Sequence, residues 1–229
     1  MKAIITGGNK GIGLEIAKNL LNRGYEVHVL SRTGIDSPPD GIISWKTDVA
    51  DYANTIKIVD TIGAANVLIN NAGIMNTKTA RDYQSAEDIL HILNINLITA
   101  VRLSVHLAEQ MAESGGGRIV SMGSIAGTIG HPDIWYGISK AGLVNAMRSL
   151  ARTYGPRGVV ANTVAPGPVE TDMMKSIPEE RKSRLKSTTI NQRFCTAQEV
   201  AETTCWLATD APAYINGEII DMNNGMNYR

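Results

Sequence analysis

Short apolar segments alternate with helical patterns along almost the whole chain, and this alternation constrains the fold more than any other feature. The predicted strands span residues 3–6, 25–31, 42–46, 66–70, 117–123, 159–165 and 218–222. Strands that alternate with helices are typical of βαβ units and a parallel sheet. Segments such as NVLIN at 66–70 contain a continuous apolar run, which indicates strands covered on both faces. We therefore predict an α/β fold with a doubly wound parallel β-sheet flanked by helices on both faces.

The length of the chain limits the number of domains. Its 229 residues suffice for one large α/β domain but are few for two of ordinary size, so we predict a single domain over 1–229.

Helices are expected at 12–22, at 85–112 with a bend or split, and at 135–154. The segment 166–196 is polar and punctuated by proline, and we predict that it is a mobile substrate lid.

The charges favour a small-molecule partner. Lys plus Arg and Asp plus Glu each number 22, so the chain lacks the basic excess with which nucleic-acid binders neutralise phosphates. The apolar run near the first residue is too short for a signal peptide, and no segment is expected to span a membrane, which takes roughly 20 apolar residues. We expect a soluble, cytoplasmic protein that binds neither nucleic acid nor membranes.

The cysteines and histidines indicate neither a disulfide framework nor a metal site. Cys195 and Cys205 are ten residues apart, there is no CxxC motif, and the four histidines are scattered. We interpret both cysteines as packing residues and predict no metal.

A glycine-rich stretch, TGGNKGIG at 6–13, joins the first predicted strand to the first predicted helix. The free N–H groups and the dipole at a helix N-terminus favour a phosphate, and glycines let the phosphate approach the backbone closely. A glycine-rich turn without a ligand is the alternative for any such motif taken alone.

The glycine spacing, T-G-x-x-x-G-x-G, resembles that of the short-chain dehydrogenase/reductase family. NNAG at 70–73, the Y-x-x-x-K motif formed by Tyr136 and Lys140, and PGPVET at 166–171 follow in the family's order. A lone Y-x-x-x-K is a weak signal, but the full series covers nearly the whole chain. The resemblance implies a Rossmann-like fold and an NADP(H)-dependent oxidoreductase that interconverts a ketone and a secondary alcohol.

Four catalytic residues are implied by the resemblance: Asn96, Ser124, Tyr136 and Lys140. Tyr136 and Lys140 are four residues apart and share one face of a helix, so an ammonium beside the phenol would lower the phenol's pKa. Ser124 would donate to the reacting oxygen, and Asn96 would hold a water that links the lysine to solvent. Ser121 and Asn94 are the alternatives for these two roles.

The cofactor preference is predicted from the end of the second strand. NAD-specific relatives place an acidic residue there, whereas this chain has Ser31 and Arg32, which suit a 2′-phosphate, and Lys10 adds a second positive group. The alternative is that Arg32 is only a solvated loop charge. The residues implied to contact NADP(H), besides Tyr136 and Lys140, are Gly7, Asn9, Lys10, Gly11, Ile12, Gly13, Ser31, Arg32, Asp48, Val49, Asn71, Ala72, Gly73, Pro166, Gly167, Val169 and Thr171.

The substrate is less well determined by the sequence. Trp135, Met173, Met174 and Ile177 either line a partly apolar pocket or are ordinary packing residues. Five basic residues between 175 and 186 are read either as a site for an anionic substrate or carrier or, by preference, as the solvated face of a lid helix. A 3-oxoacyl reductase-like activity is suggested by size, although the Thr-Arg-Asp that often follows NNAG directly in such enzymes is missing. Sugars, polyketides and other secondary alcohols remain open.

Two other kinds of protein are considered. A catalytically silent NADP(H)-binding sensor would tolerate loss of Tyr136 or Lys140, and epimerases or dehydratases generally need an additional C-terminal domain. In relatives the helices at 85–112 and 135–154 form subunit contacts, so we expect a homo-oligomer, either a dimer or, by preference, a tetramer.

Overall fold

In the computed structural model, residues 1–76, 79, 81–82, 85–172, 174 and 177–228 are described. Seven strands form one sheet in which every neighbouring pair is parallel. The strands are β1 Lys2–Thr6, β2 Glu26–Ser31, β3 Ile42–Lys46, β4 Val67–Asn70, β5 Gly117–Met122, β6 Val159–Pro166 and β7 Ile219–Met222. Each lies within about two residues of a predicted strand, so the predicted doubly wound parallel sheet is confirmed.

The strand order in the sheet is β3-β2-β1-β4-β5-β6-β7. The order reverses between β1 and β4, because the chain proceeds outward in one direction from β1 to β3 and in the other from β4 to β7. In open α/β sheets the crevice at such a reversal, outside the carboxyl ends of the strands, is where ligands bind. The glycine-rich stretch follows β1 directly and therefore lies at this crevice.

Helices cover both faces of the sheet. They are α1 Gly11–Asn22, α2 Tyr52–Ile62, α3 Ala86–Leu93, a π-helix Asn94–Ile98, α4 Thr99–Glu113, α5 Ala126–Ile129, α6 Ile134–Tyr154, a 3-10 helix Gly155–Arg157, α7 Glu179–Ser187 and α8 Ala197–Thr209. The helix predicted at 85–112 is one helical run, in which the π-helix joins α3 directly to α4. Helix α2 was not predicted; Asp51 caps it by accepting a hydrogen bond from the Asn54 amide.

Two hydrophobic cores lie on opposite faces of the sheet. On one face α1 and α8 pack through residues such as Ile16, Leu20 and Val200, and on the other α4 and α6 pack through Leu103 and Met147. The strands contain continuous apolar runs because helices cover the sheet on both faces. As predicted, Cys205 is a packing residue of the first core, and Cys195 packs against the same core.

The helical run Ala86–Glu113 has the length and the apolar composition needed to cross a membrane, with a mean hydropathy of 1.3 in its most apolar part. The sequence prediction that no segment is long and apolar enough to span a membrane therefore overlooked this run. Leu103, Leu107 and Met111 of this run are fully or almost fully buried in the second core, against the sheet. Core packing accounts for much of its apolar character.

Candidate active site

The glycine loop between β1 and α1 approaches its neighbours too closely for side chains. Gly7 has a φ of +67°, and a Cβ there would lie 2.9 Å from the Cα of Ala72. A Cβ on Gly13 would collide with the carbonyl oxygen of Gly7, and Gly11 opens α1 with a φ of +53°. Only glycine adopts these conformations without strain. The backbone amides at the start of α1 are thereby left accessible to a phosphate.

Asn71 fixes this loop to the end of β4. Its Nδ2 donates to the carbonyl oxygens of Gly7 at 2.9 Å and Thr6 at 3.2 Å. In return, the Thr6 hydroxyl accepts from the amides of Asn71 and Ala72, each at 3.1 Å. These four hydrogen bonds join the ends of β1 and β4 at the point where the strand order reverses.

The loop after β2 lies beside the glycine loop. Asn9 Nδ2 donates to the Thr33 hydroxyl at 2.8 Å, which links the two loops. Ser31 is 5% exposed, and its hydroxyl is buried without a hydrogen-bond partner among the described residues. The Arg32 side chain is exposed. Of the two residues predicted to meet a 2′-phosphate, Arg32 is therefore the one that faces solvent.

Lys10 forms an ion pair with the segment that follows β6. Its Nζ lies 3.6 Å from a carboxylate oxygen of Asp172, and both side chains are more than half exposed. A Cβ on Gly11 would lie 3.7 Å from the Thr171 methyl group, so this segment also crosses the start of α1. Ile12 is partly buried and packs against the first core beneath the loop. The glycine loop is thus covered from the β6 side.

The turn after β3 is held by Asp48. Its carboxylate accepts from the Ala50 amide at 2.9 Å, and its carbonyl accepts from the Thr55 hydroxyl of α2 at 3.3 Å. Val49 is 6% exposed. Both predicted residues therefore lie at the carboxyl edge of the sheet, next to the loop after β2.

Tyr136 and Ser124 meet beyond the end of β5. Burial raises the pKa of the Tyr136 phenol above its ordinary value, while the hydrogen bond from Ser124 acts in the opposite direction and the Asp133 carboxylate raises the pKa further. The phenol therefore stays protonated at neutral pH. Burial is the largest influence on the pKa of the phenol in this structure, so any lowering by Lys140 is outweighed.

Lys140 reaches into the site from the next turn of α6. It is 5% exposed, and its Nζ lies 5.7 Å from the centroid of the Tyr136 ring. The ammonium donates to the carbonyl oxygen of Met122, at the end of β5, at 2.7 Å. Burial lowers the pKa of Lys140 to about 8. A lysine with this pKa can still stabilise a developing phenolate near neutral pH.

Asn96 sits in the π-helix, a distortion that is frequent at functional sites. Its amide exchanges two hydrogen bonds with the backbone of Ile74, both at 2.8 Å, and also donates to the Ser139 hydroxyl at 3.2 Å. A Cβ on Gly73 would lie 3.4 Å from Asn96 Oδ1 and 3.5 Å from Lys140 Nζ. Asn96 and Lys140 therefore both lie next to Gly73.

The two alternatives for the serine and asparagine roles lie elsewhere. Ser121 is fully buried and accepts a hydrogen bond from Asn70 at 3.0 Å inside the core. Asn94 donates to the carbonyl oxygen of Ala50, on the turn after β3. Neither residue belongs to the group around Tyr136.

The end of β6 borders the same site. The Pro166 carbonyl accepts from the amide of Ile125, one residue after Ser124, at 2.9 Å. Gly167 follows, and Val169 forms an isolated parallel bridge with Cys195 that closes the base of the segment 166–196. The predicted residues of this segment therefore stand between the glycine loop and the Tyr136 group.

The residues predicted to line a substrate pocket are only partly described. Trp135, Met174 and Ile177 are each partly buried, whereas Met173 and Lys175, which were also predicted here, lie outside the described residues. None of the residues of α7 is buried, and its last turn carries Arg184 and Lys186.

Two residues beside Tyr136 were missed by sequence reasoning. Asp133 is fully buried and caps α6, accepting from the amides of Tyr136 and Asn76 at 3.1 Å each. An Asp three residues before a helical Tyr is a recognisable N-cap signal. The His131 ring packs edge-on against the Tyr136 ring, with centroids 5.2 Å apart. Nothing in the local sequence indicates that contact.

Within the described part of the chain, no group of three or more His, Cys, Asp or Glu residues is arranged to hold a metal ion.

Residues 7–227 match the family model described as enoyl-(acyl carrier protein) reductase. The chain is similar to the 3-oxoacyl-(acyl-carrier-protein) reductase FabG of Escherichia coli (strain K12), with 34% identity over 235 residues, 98% of this chain and 96% of that protein. The 3-oxoacyl-(acyl-carrier-protein) reductase MabA of Mycobacterium avium is 33% identical over 229 residues, 97% of this chain and 88% of that protein.

Solved structures agree with these relatives. A short chain dehydrogenase/reductase family protein matches with a TM-score of 0.89 and 25% identity, over 98% of this chain and 96% of that chain. A tyrosine-to-phenylalanine variant of ElxO with NADPH bound matches with a TM-score of 0.89 and 26% identity, over 98% of both chains. The sequence motifs, the sheet and the relatives agree, and the chain is an oxidoreductase that belongs to the short-chain dehydrogenase/reductase family.

Proposed function

We propose that this protein is an NADP(H)-dependent reductase of 3-oxoacyl thioesters or closely related ketones, with Tyr136 as the acid and base. The observation that carries the proposal is the meeting of Ser124, Tyr136 and Lys140 at the carboxyl edge of the sheet, beside the glycine loop. A protonated phenol suits the reductive direction, because reduction of a carbonyl consumes a proton at the oxygen.

The residues present fit a dinucleotide phosphate. The glycine loop packs so closely against the end of β4 and against itself that a Cβ at Gly7 or Gly13 would clash, and it leads into the start of α1, where amides and the helix dipole favour phosphate. Arg32 supplies a positive charge after β2, with no carboxylate at Ser31 to repel a 2′-phosphate. The NADPH-bound structural neighbour supports the same preference.

Bound NADPH supplies the hydride, and the protein supplies orientation and the proton. Ser124 and Tyr136 together present two hydroxyl groups to the carbonyl oxygen of the substrate. As that oxygen gains negative charge, the Tyr136 phenol gives it a proton, and the Lys140 ammonium stabilises the phenolate that remains. Asn96 holds Ile74 and Ser139 around Lys140, and we assign it a positioning role.

The substrate class is supported by the relatives. FabG and MabA are both named as 3-oxoacyl-(acyl-carrier-protein) reductases, and FabG matches this chain over nearly its full length. The lid carries Arg181, Lys182, Arg184 and Lys186, which form a basic surface that suits an anionic carrier. We assign the single domain to 1–229, with the segment 166–196 as the substrate lid.

The test is NADPH oxidation by the native protein with a panel of ketones that includes 3-oxoacyl thioesters, cyclic ketones and keto sugars. Tyr136→Phe is expected to lose about 10²- to 10⁴-fold of the activity while it still binds NADPH. Tyr214→Phe is the matched control, since Tyr214 is 99% exposed. Full activity in Tyr136→Phe would refute the proposed role of this residue.

The comparisons give no support to a catalytically silent sensor. Such a protein has no need of a serine, a tyrosine and a lysine in this arrangement. FabG, which is named as a reductase, is matched over 96% of its length by this chain, and this favours a reductase over an epimerase or dehydratase.

We infer that the protein acts as a homo-oligomer, preferably a tetramer, in the cytoplasm. The apolar side chains of Ile98, Val105 and Ile138 on the long helices are 40–43% exposed, and a hollow of about 380 Å³ beside α4 is lined by Tyr52 and His106 among others. Light scattering that shows a concentration-independent monomer would refute the oligomer, and cell fractionation tests the location.

A further inference from the structure

His131 is placed against the catalytic tyrosine by a turn at the end of α5. Gly130, with a φ of +84°, reverses the chain, and His131 then folds back over the first turn of α6. A Cβ on Gly137 would lie 3.7 Å from the Cβ of His131. The two rings of His131 and Tyr136 meet at an interplanar angle of 62°. The imidazole is therefore held at a defined position beside the phenol.

One nitrogen of this imidazole is already used. Nδ1 accepts a hydrogen bond from the backbone amide of Asp133 at 3.1 Å, so in the neutral ring the proton is on Nε2. Burial lowers the pKa of His131 below its ordinary value, and the Arg181 guanidinium of α7 acts in the same direction against the opposing Asp133 carboxylate. The ring is therefore neutral at physiological pH and presents one N–H donor.

That donor is available to a ligand. Among the described residues, no acceptor lies within hydrogen-bonding distance of Nε2, and His131 is only half-buried. The ring packs against Tyr136, and the positive charge of Arg181 on the lid helix α7 acts on its pKa. His131 therefore lies beside the tyrosine that the reacting carbonyl of the substrate must reach.

We propose that His131 is a specificity-determining residue whose Nε2–H donates a hydrogen bond to the second carbonyl of a 1,3-dicarbonyl substrate while Tyr136 acts on the first. This assignment rests on the proposed function, in which the second carbonyl is that of the thioester. A site built to hydrogen-bond a substrate oxygen rejects an analogue that lacks it, because the donor is then left unpaired.

The test compares two substrates that differ only at that carbonyl. One is a 3-oxoacyl N-acetylcysteamine thioester, and the other is the matching 3-oxoalkyl thioether, in which a methylene replaces the thioester carbonyl. Each is assayed with the native protein, with His131→Phe, which keeps a ring against Tyr136 but has no donor, and with His131→Gln, which keeps a donor. His91→Phe, at an exposed position of α3, is the control.

We expect His131→Phe to lower kcat/KM for the thioester about tenfold and to change it for the thioether by less than about twofold. His131→Gln should recover most of the thioester activity, and NADPH binding and thermal unfolding should match the native protein in both variants. Selective loss with recovery by glutamine would establish the role.

Other results would overturn the assignment. An equal loss on both substrates would mean that His131 acts only by packing against Tyr136, and no loss on either would mean that it does not contact the substrate. If the native protein reduces other ketones but not the thioester, the proposed function itself is wrong, and that result is distinct because it appears before any variant is made.

Discussion

Lys140 donates a 2.7 Å hydrogen bond to the carbonyl oxygen of Met122, and this contact anchors a nearly fully buried ammonium group at the end of β5. Burying a charge is unfavourable even when one hydrogen bond is made, and the lowered pKa of Lys140 expresses this cost. The protein therefore retains a destabilising group at the place where the proposed chemistry needs a cation.

Lys140→Met is expected to change how stability depends on pH. The pKa of Lys140 is about 8 in the folded protein and 10.5 as its ordinary value, so between these values the unfolded chain binds the extra proton. The free energy of unfolding contributed by this group therefore rises with pH across that window, by about 3 kcal/mol in total, and is lowest below pH 8. The variant should lack this rise.

Denaturant unfolding of the native protein and of Lys140→Met between pH 7 and 10.5 measures the effect. The difference between the two curves cancels the other groups that titrate in this range. Parallel curves would show that the buried lysine does not carry the lowered pKa.

Arg32→Ala is expected to weaken NADPH binding about 10- to 100-fold, because a charge-assisted hydrogen bond to phosphate is lost. NADH binding should hardly change, since NADH has no 2′-phosphate. Fluorescence titration with both cofactors measures the two affinities. Lys57→Ala, which removes an exposed cation from α2, is the control. An equal loss for both cofactors would contradict the assignment.

Asn71→Ala is expected to lower the free energy of unfolding by about 1–3 kcal/mol, because two carbonyl oxygens of the glycine loop lose their donor. NADPH affinity should fall as well, since the loop is no longer fixed to β4. Thermal unfolding with and without NADPH tests both effects, with Asn22→Ala at the exposed end of α1 as control. Unchanged affinity would show that the loop holds its shape unaided.

Thr196→Ala is expected to destabilise α8 by about 1 kcal/mol and to lower Tm by about 2–4 °C. Thr196 and Glu199 form a reciprocal capping box at the start of this helix. Calorimetry measures the shift, and Thr203→Ala, within the same helix, is the comparison. A larger shift for Thr203→Ala would argue against the importance of the cap.

The strands and the proximity of Tyr136 and Lys140 could be predicted because their signals are local. Apolar runs place the strands, and a spacing of four residues puts Tyr136 and Lys140 on one helix face. The relation of Lys10 to Asp172 could not be predicted, because it depends on the path of the segment after β6. The contact of His131 with Tyr136 likewise depends on the turn at Gly130.

The π-helix was also beyond local prediction, since it is defined by hydrogen bonds along the helix and not by residue types. The exposed Arg32 and the buried Ser31 hydroxyl differ although they are adjacent, because Ser31 is the last residue of a strand covered on both faces and Arg32 lies beyond the edge of the sheet.

The π-helix between α3 and α4 also sets which side of α4 faces the sheet. A π-turn accommodates about one residue more than an α-turn, so a regular α-helix with the same number of residues over Asn94–Ile98 would rotate Leu103 and Leu107 on the sheet relative to Ile92. The wider turn thus lets Ile92, on one side of it, and Leu103, on the other, both be buried by one helical run.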